Sequence, residues 1–294
     1  MLDNRDLIVI AICTRDRPTQ LERVLRELAR LPVPPRVGAR VQIIDNSLAG
    51  NAREVVQRVG QTLGDIGYCH EPDGGIPGAR NAAIRERKRS EHLVFIDDDE
   101  WPDQSWLLHL WRGHEMDPSA IIGGRTDRVK DVDWRNLEQG VAIELQNVDA
   151  CGFGNVLLPA DLLDKDELTF SARYRGSGGE DLDFCFRAAS LGVGTRLAPA
   201  AVCFELLGKE RRRVRYRMKM CFTTGAIYSD VLRRHKRRSL LYRVVAIIAR
   251  FMVGLCVLPI AVIQDGNRYR GIEDISFALG GFVGLFGYLP HRYP

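Results

Sequence analysis

Four consecutive carboxylates, Asp97-Asp98-Asp99-Glu100, directly follow the apolar run Leu93 to Ile96. Adjacent carboxylates repel and raise one another's pKa unless a cation neutralises them, so the run reads as a seat for a divalent metal. Oxygen-only donors suit Mg2+ or Mn2+, which use one or two carboxylates while a substrate's phosphates complete the shell. The plainer reading is a solvated acidic loop. A second segment, Glu71-Pro-Asp-Gly-Gly-Ile-Pro-Gly78-Ala-Arg80-Asn81, carries three glycines into a helix start. A helix N-terminus beside a guanidinium seats pyrophosphate, although ordinary Gly-rich turns before helices look the same. It matches neither the dinucleotide fingerprint nor the P-loop. In a third, Gly178-Gly-Glu180-Asp181-Leu-Asp-Phe-Cys-Phe-Arg187, acids open a helix that Gly192 closes. They complement the helix dipole or supply a carboxylate base at the mouth of a sheet.

The elements that must position these residues alternate. Leu7 to Cys13 is an unbroken apolar run suited to a strand buried on both faces, and Leu21, Val24, Leu25, Leu28 and Leu31 follow at helical spacing. Strands are expected over Val41 to Asp45, Ile66 to His70 and Leu93 to Asp97, with helices over Ala52 to Leu63 and Ala79 to Arg89. Strand and helix alternating in this way predict a parallel, doubly wound sheet. Such sheets bind ligands at the carboxyl ends of their strands, where Thr14-Arg15, Asp45-Asn46, the 71–78 loop and the acidic run all fall. Further strands are expected over Ala120 to Gly124, Asn155 to Leu158 and Ala201 to Phe204, in the second half of one domain spanning residues 1–207.

Composition bounds the rest. The 294 residues, 45 % hydrophobic and 27 % charged, describe a globular chain with ample core, not a disordered or polytopic one. Seven scattered cysteines without a Cys-x-x-Cys pair argue for reduced thiols and against a cysteine zinc site. The acid-bearing N-terminus and short first apolar run give no signal-peptide pattern. His70, His109 and His114 have no companions at metal spacing.

Residues 208–250 hold fourteen Lys/Arg against Glu210 and Asp230, within a total charge of +4, so an acidic body carries a basic neck, assigned to 208–238. In the tail, 239–294, Val244 to Ile263 is apolar except for Arg250 and, at ~1.5 Å per residue, is about 30 Å long. A shorter apolar stretch, Ile275 to Pro290, follows the polar 264–274. A basic run leading into such a segment fits anionic membrane lipid better than nucleic acid, and lysine and arginine before it predict the cytoplasmic face. Spanning, in-plane and re-entrant arrangements stay open, as does a pair of buried helices or a homo-oligomer interface.

Taken in order, Ile12-Cys-Thr14-Arg15, Ile43-Ile-Asp45-Asn46-Ser47, Gly78-Ala-Arg80-Asn81, Asp97-Asp98-Asp99, Gly154-Asn155 and Glu180-Asp181 resemble the family 2 glycosyltransferases of GT-A fold, of the bacterial exopolysaccharide and succinoglycan type. The resemblance covers residues 6 to 207. It implies an α/β, Rossmann-like sheet flanked by helices, followed here by the apolar helical appendage. It also implies an inverting, metal-dependent transfer from a nucleotide-sugar, expected to be a UDP-sugar, to a lipid-linked or polysaccharide acceptor. By position it assigns Thr14, Arg15, Asp45, Gly78, Arg80, Asn81, Asp97 and Asp98 to the nucleotide. Asp99, with Asp97, would hold Mg2+ or Mn2+. Asp181 would be the general base with Glu180 beside it, and Trp101 and Asn155 would line the sugar pocket. Trp101, Trp106 and Trp111, at intervals of five, otherwise read as helix packing. Many relatives carry a further metal-binding His where this chain reads Ala201-Val-Cys-Phe-Glu205, so Glu205 either substitutes for it or pairs with nearby basic residues. A nucleotidyltransferase would need the same acids, but the first loop, Thr14-Arg-Asp-Arg-Pro18, has no glycine. A catalytically silent membrane-bound nucleotide-binding scaffold is the reading from another class.

Overall fold

A computed structural model of the chain describes residues 6–129, 144–165, 168–206, 208, 211, 213–261 and 269–292. It divides into two compact units, residues 1–175 with 184–206, and residues 176–183 with 207–294. The segment carrying Glu180 and Asp181 therefore groups with the C-terminal part of the chain, not with the 1–207 body expected to contain it.

In the first unit β1 (Asp6–Thr14), β2 (Val37–Asp45), β3 (Ile66–His70) and β4 (Glu91–Ile96) lie in the parallel order β3-β2-β1-β4. Beyond β4 the sheet turns mostly antiparallel. It continues through β8 (Asn155–Leu158), β6 (Ile121–Val129), β9 (Thr195–Leu206) and β5 (Glu100–Pro102), with β7 (Gln146–Val148) also on β9. Among the described strands of this half, only β6 and β9 pair in parallel. The doubly wound expectation thus describes the first hundred residues, and the second half is mixed.

The central strands β1, β4 and β8 are buried on both faces, and their alternate residues feed two cores. Ile8, Ile10 and Ile12 meet α1 (Pro18–Leu28), α2 (Arg53–Leu63) and α4 (Trp106–Met116) through Leu21, Leu25, Val55 and Leu110. Val9 and Ala11 meet α3 (Gly75–Glu86) and the body of α6 (Glu180–Ser190) through Ala79, Ala83, Phe184 and Ala188. Each such large aliphatic or aromatic side chain contributes about 1.5–3 kcal/mol of burial.

Helix α3 starts four residues before the expected Ala79. Gly75-Ile-Pro-Gly78 forms its first turn, entered from Gly74 at φ 94°. Proline is tolerated there, and a Cβ on Gly78 would stand 2.8 Å from the Asp73 carbonyl oxygen. Strand β9 likewise begins six residues earlier than expected, past a register shift at Gly124/Arg125 of its partner.

The second unit contains α7 (Val214–Arg234), α8 (Leu240–Ala261) and α9 (Arg270–Gly284). Glycines let these helices approach closely: Gly280 and Gly284 face the backbone of Phe222 and Ala226, and Gly254 faces Gly271. Helix α9 begins inside the stretch expected to be polar linker. Its Asp274 accepts from Arg250 of α8 at 2.9 Å, and the Arg250 guanidinium lies 3.7 Å from the centre of the Phe277 ring. The one charge in the long apolar segment is thus neutralised within the helix pair. Leu240–Leu258 has a mean hydropathy of 2.1 with 6 % of its residues buried, and by length and composition suffices to cross a membrane. The last residues of the expected 244–263 segment, from 262, lie outside the described residues.

Candidate active site

Register brings the chemistry together. Thr14 pairs with Asp45 across β1 and β2, and β4 ends at Ile96, so the acidic run emerges at the same sheet edge. Thr14 Oγ1 donates to Asp98 Oδ2 at 2.7 Å. The Arg17 guanidinium bridges two acids, donating to Asp98 Oδ1 at 2.9 Å and Asp99 Oδ2 at 3.1 Å. Burial works against the charge on Arg17, but Asp98 and Asp99 outweigh it and raise its pKa.

The carboxylates themselves are poised upward. Burial pushes Asp97 to about 6, with Arg80 opposing and Asp99 and Asp98 adding to the rise. Asp98 is raised by burial against the pull of Arg17 and the Thr14 hydrogen bond. Glu100 is raised well above the usual carboxylate range by burial and then by Asp97 and Asp99. Gly154 is wedged between two of these acids: a Cβ there would stand 2.6 Å from Asp97 Oδ2 and 2.9 Å from Glu100 Oε1.

Arg80 projects from the first turns of α3 and is 7 % exposed. Its guanidinium lies 5.9, 5.6 and 5.7 Å from the ring centres of Phe95, Phe153 and Phe170. A desolvated cation faced by aromatic rings is held by their quadrupoles, and it favours the charged form of Asp97. Arg15, two residues before Arg17 and similarly exposed, lies against Asp16 at 3.9 Å instead of these acids.

Several expected contact residues are occupied by the protein itself. Asp45 is fully buried: Oδ1 accepts from Ser47 N and Oγ at 3.0 and 2.6 Å, and Oδ2 from Ala52 N and the Tyr68 hydroxyl at 2.9 and 3.0 Å. Through these bonds it builds its loop and the start of α2. The Asn81 amide exchanges hydrogen bonds with the Phe170 backbone, at 2.9 and 2.7 Å, and so clamps a loop. Asn155 is 2 % exposed, accepts from Trp106 Nε1 at 2.8 Å and donates to the carbonyls of Arg125 and Ala201 at 3.1 and 3.0 Å. These bonds tie it into the core. Trp101 is buried on β5 against Val202 and Phe204, with the Arg23 guanidinium 4.4 Å from its ring centre, so it too is packed.

Glu205 sits opposite both Glu100 and Arg128 in the sheet, and its Oε2 accepts from Arg128 Nε at 3.0 Å. It thus forms an ion pair within the sheet. Among the described residues no group of three or more His, Cys, Asp or Glu side chains is arranged to hold a metal ion. Asp97 and Asp99 nevertheless offer oxygen donors of the kind that suits a hard divalent cation bound through one or two carboxylates, at the end of β4 where Thr14 and Arg17 hold the neighbouring acids.

The segment 176–183 belongs to the second unit. Gly178 and Gly179 take φ of 79° and 99°, and α6 then opens with Glu180, Asp181 and Asp183 in its first turn. Glu180 is buried, and Asp181, half-buried, accepts from Leu182 N at 2.8 Å. Sequence reasoning missed Arg17 and the cap that Arg23 places on Trp101. The signal for Arg17 was its place in the loop after β1, where Arg15 took the assignment.

The glycosyl transferase family 2 model matches residues 9–155, which end on Asn155 at the start of β8. The chain is 28 % identical over 236 residues to the succinoglycan biosynthesis protein ExoM of Rhizobium meliloti, covering 76 % of this chain and 75 % of that protein. Among solved structures, the mannosyltransferase PcManGT of Pyrobaculum calidifontis, in complex with GDP-Man and Mn2+, aligns over 96 % of this chain and 75 % of its own at a TM-score of 0.56 and 17 % identity. GalNAc-T7 with UDP, GalNAc and Mn2+ aligns over 69 % of this chain and only 44 % of its own, at a TM-score of 0.59 and 12 % identity. These likenesses carry the GT-A fold. The sheet, the acidic run at its edge and the family match over half the chain agree, and the chain belongs to glycosyl transferase family 2.

Proposed function

We propose that this glycosyltransferase is an inverting, divalent-metal-dependent enzyme that moves a sugar from a UDP-sugar onto a lipid-linked or polysaccharide acceptor at the cytoplasmic membrane face. The observation that carries the donor half is the network in which Thr14 and Arg17 hold Asp98 and Asp99 beside a half-buried Asp97. Asp99 and Asp97 would hold Mg2+ or Mn2+, which supplies charge stabilisation to the departing diphosphate. Arg80, fixed in its aromatic surround, adds a guanidinium on the same side of the chemistry. Asp181, half-buried at the start of α6, takes the proton of the attacking hydroxyl, with Glu180 orienting the acceptor. One base opposite the leaving group inverts the anomeric centre.

Neighbours bound to UDP or GDP-Man support a nucleotide-sugar donor. The succinoglycan relative supports a cell-surface polysaccharide product. The exposed apolar face of α8, with Leu241, Val245, Ile248 and Met252, and the basic residues 233–238 before it support membrane association. The test is release of nucleoside diphosphate from a panel of nucleotide-sugars by the detergent-solubilised chain, with membrane lipid extract as acceptor. Turnover with one donor, abolished by chelation, by Asp99→Ala and by Asp181→Asn, is the expected result. Nucleotide binding with no turnover on any donor sinks the proposal in favour of a binding scaffold.

A further inference from the structure

The segment 176–183 is a poor candidate for holding a catalytic group by its own stiffness. Two consecutive glycines with positive φ lead into a helix whose first turn carries three mutually repelling carboxylates. It is instead gripped at both ends by residues far away in sequence. At its start, the Gly176 carbonyl accepts from the backbone N–H of Arg292 at 2.7 Å, and a Cβ on Gly176 would stand 2.5 Å from His291 Nδ1. At its end, Asp183 Oδ1 lies 2.9 Å from His235 Nε2, with both side chains largely buried.

His235 stands on a rigid post. It caps α7, its backbone N–H bonded to the Val231 carbonyl at 3.0 Å. The two residues before it, Arg233 and Arg234, are pinned at 2.6 and 3.2 Å to Asp230, which is fully buried. Its imidazole therefore meets Asp183 from a fixed position and sets where the first turn of α6 begins.

We infer that His235 is a positioning residue: by holding Asp183 it fixes the first turn of α6 and so aims Asp181 and Glu180. This rests on the reading of Asp181 as the base. It assigns to the C-terminal unit, outside the family match over residues 9–155, a share in catalysis beyond membrane attachment. Misplacing a reacting group by about 1 Å costs on the order of 100-fold in rate, which is the scale at which the grip on α6 matters.

The test uses the full-length chain with the donor and lipid extract that support turnover, alongside calorimetric UDP binding. His235→Ala is expected to lower kcat about 10- to 100-fold while the donor KM and the UDP Kd stay within about two-fold. His235→Gln, whose amide can reach the Nε2 position, should recover most of the loss. Asp183→Asn should resemble His235→Ala, and the double variant should be no worse than either. A wild-type kcat in His235→Ala, with Asp181→Asn inactive, overturns the inference and leaves the base assignment standing. A loss that Gln does not rescue, or one matched by weakened UDP binding, also overturns it. Wild-type turnover by Asp181→Asn removes the base assignment and the inference together.

Discussion

Replacing Asp97 by asparagine should make the metal-free protein more stable and inactive at once. Asp97 titrates at about 6 in the fold against an ordinary value of 3.8, mainly because burial disfavours its charge. A carboxyl whose folded pKa is raised favours folding only while protonated. That contribution is complete below pH 3.8 and is lost as pH rises through about 6. The two-unit shift corresponds to about 3 kcal/mol of penalty at pH 7.5. Partial solvent access reduces the gain to about 1–2 kcal/mol. At 2–4 °C per kcal/mol, the Tm of Asp97→Asn in chelator should exceed wild type by roughly 2–8 °C at pH 7.5, with the gap closing toward pH 4. Thermal unfolding followed by fluorescence across that range is the assay. A variant less stable than wild type at pH 7.5, or a gap that does not change with pH, would refute the argument that ionised Asp97 is held against a net penalty.

Asn155→Ala removes three hydrogen bonds and strands the buried Trp106 N–H, so it should cost about 3–5 kcal/mol and lower Tm by roughly 6–20 °C. A raised KM at unchanged Tm would return Asn155 to the sugar pocket. Arg17→Met takes a cation from between Asp98 and Asp99, whose ion pairs are partly exposed on the arginine side, and should cost about 1–2 kcal/mol without metal. Mn2+ should then raise the variant's Tm more than it raises that of wild type, and equal shifts would count against competition for the same carboxylates. His114 is depressed to about 4 by burial and then by His92, whose ring centre is 4.4 Å away. Its folded pKa lies below the unfolded 6.5, so stability is full above pH 6.5 and falls as pH drops toward 4, by up to about 3 kcal/mol. Because Asp97 titrates in the opposite sense over the same window, the measurement is the Tm difference between wild type and His114→Phe at pH 7.5 and 5. A pH-independent difference would refute it.

The elements were legible where one local cause dominates. The bounds of β3 and β8 follow from short apolar runs ended by turn residues, and the α1 face from Leu21, Val24, Leu25 and Leu28. The start of α3 was hidden because glycine and proline argue against helix everywhere except its first turn. The length of β9 was hidden because Arg196 and Pro199 interrupt its pattern, while pairing with β6, β5 and β7 sustains the strand. At the site, position along the chain was readable and side-chain allegiance was not. A carboxylate at a strand end can face a ligand or build its own loop. The Ser47, Ala52 and Tyr68 donors that claim Asp45 are assembled only when β2, α2 and β3 come together. Arg15 and Arg17 differ in the same way: two residues apart and similarly exposed, one lies against Asp16 and the other bridges Asp98 and Asp99.

Sorting the polar residues by whether the protein consumes them leaves a charge imbalance that argues for the chemistry on its own. Asp45, Asn81, Asn155 and Glu205 are spent on loop, core and ion pair. Among the groups that remain, Asp97, Asp98, Asp99 and Glu100 bring four negative charges, and Arg17 and Arg80 bring two positive ones. Burying like charges this close together is relieved by taking up protons, as the raised values of Glu100 and Asp97 describe, or by a nearby cation. A site built for a solvated loop would have no reason to bury Asp98 and Glu100 or to wedge Gly154 between Asp97 and Glu100. A divalent cation taken up at this edge of the sheet would lie beside the acids that Thr14 and Arg17 hold in place.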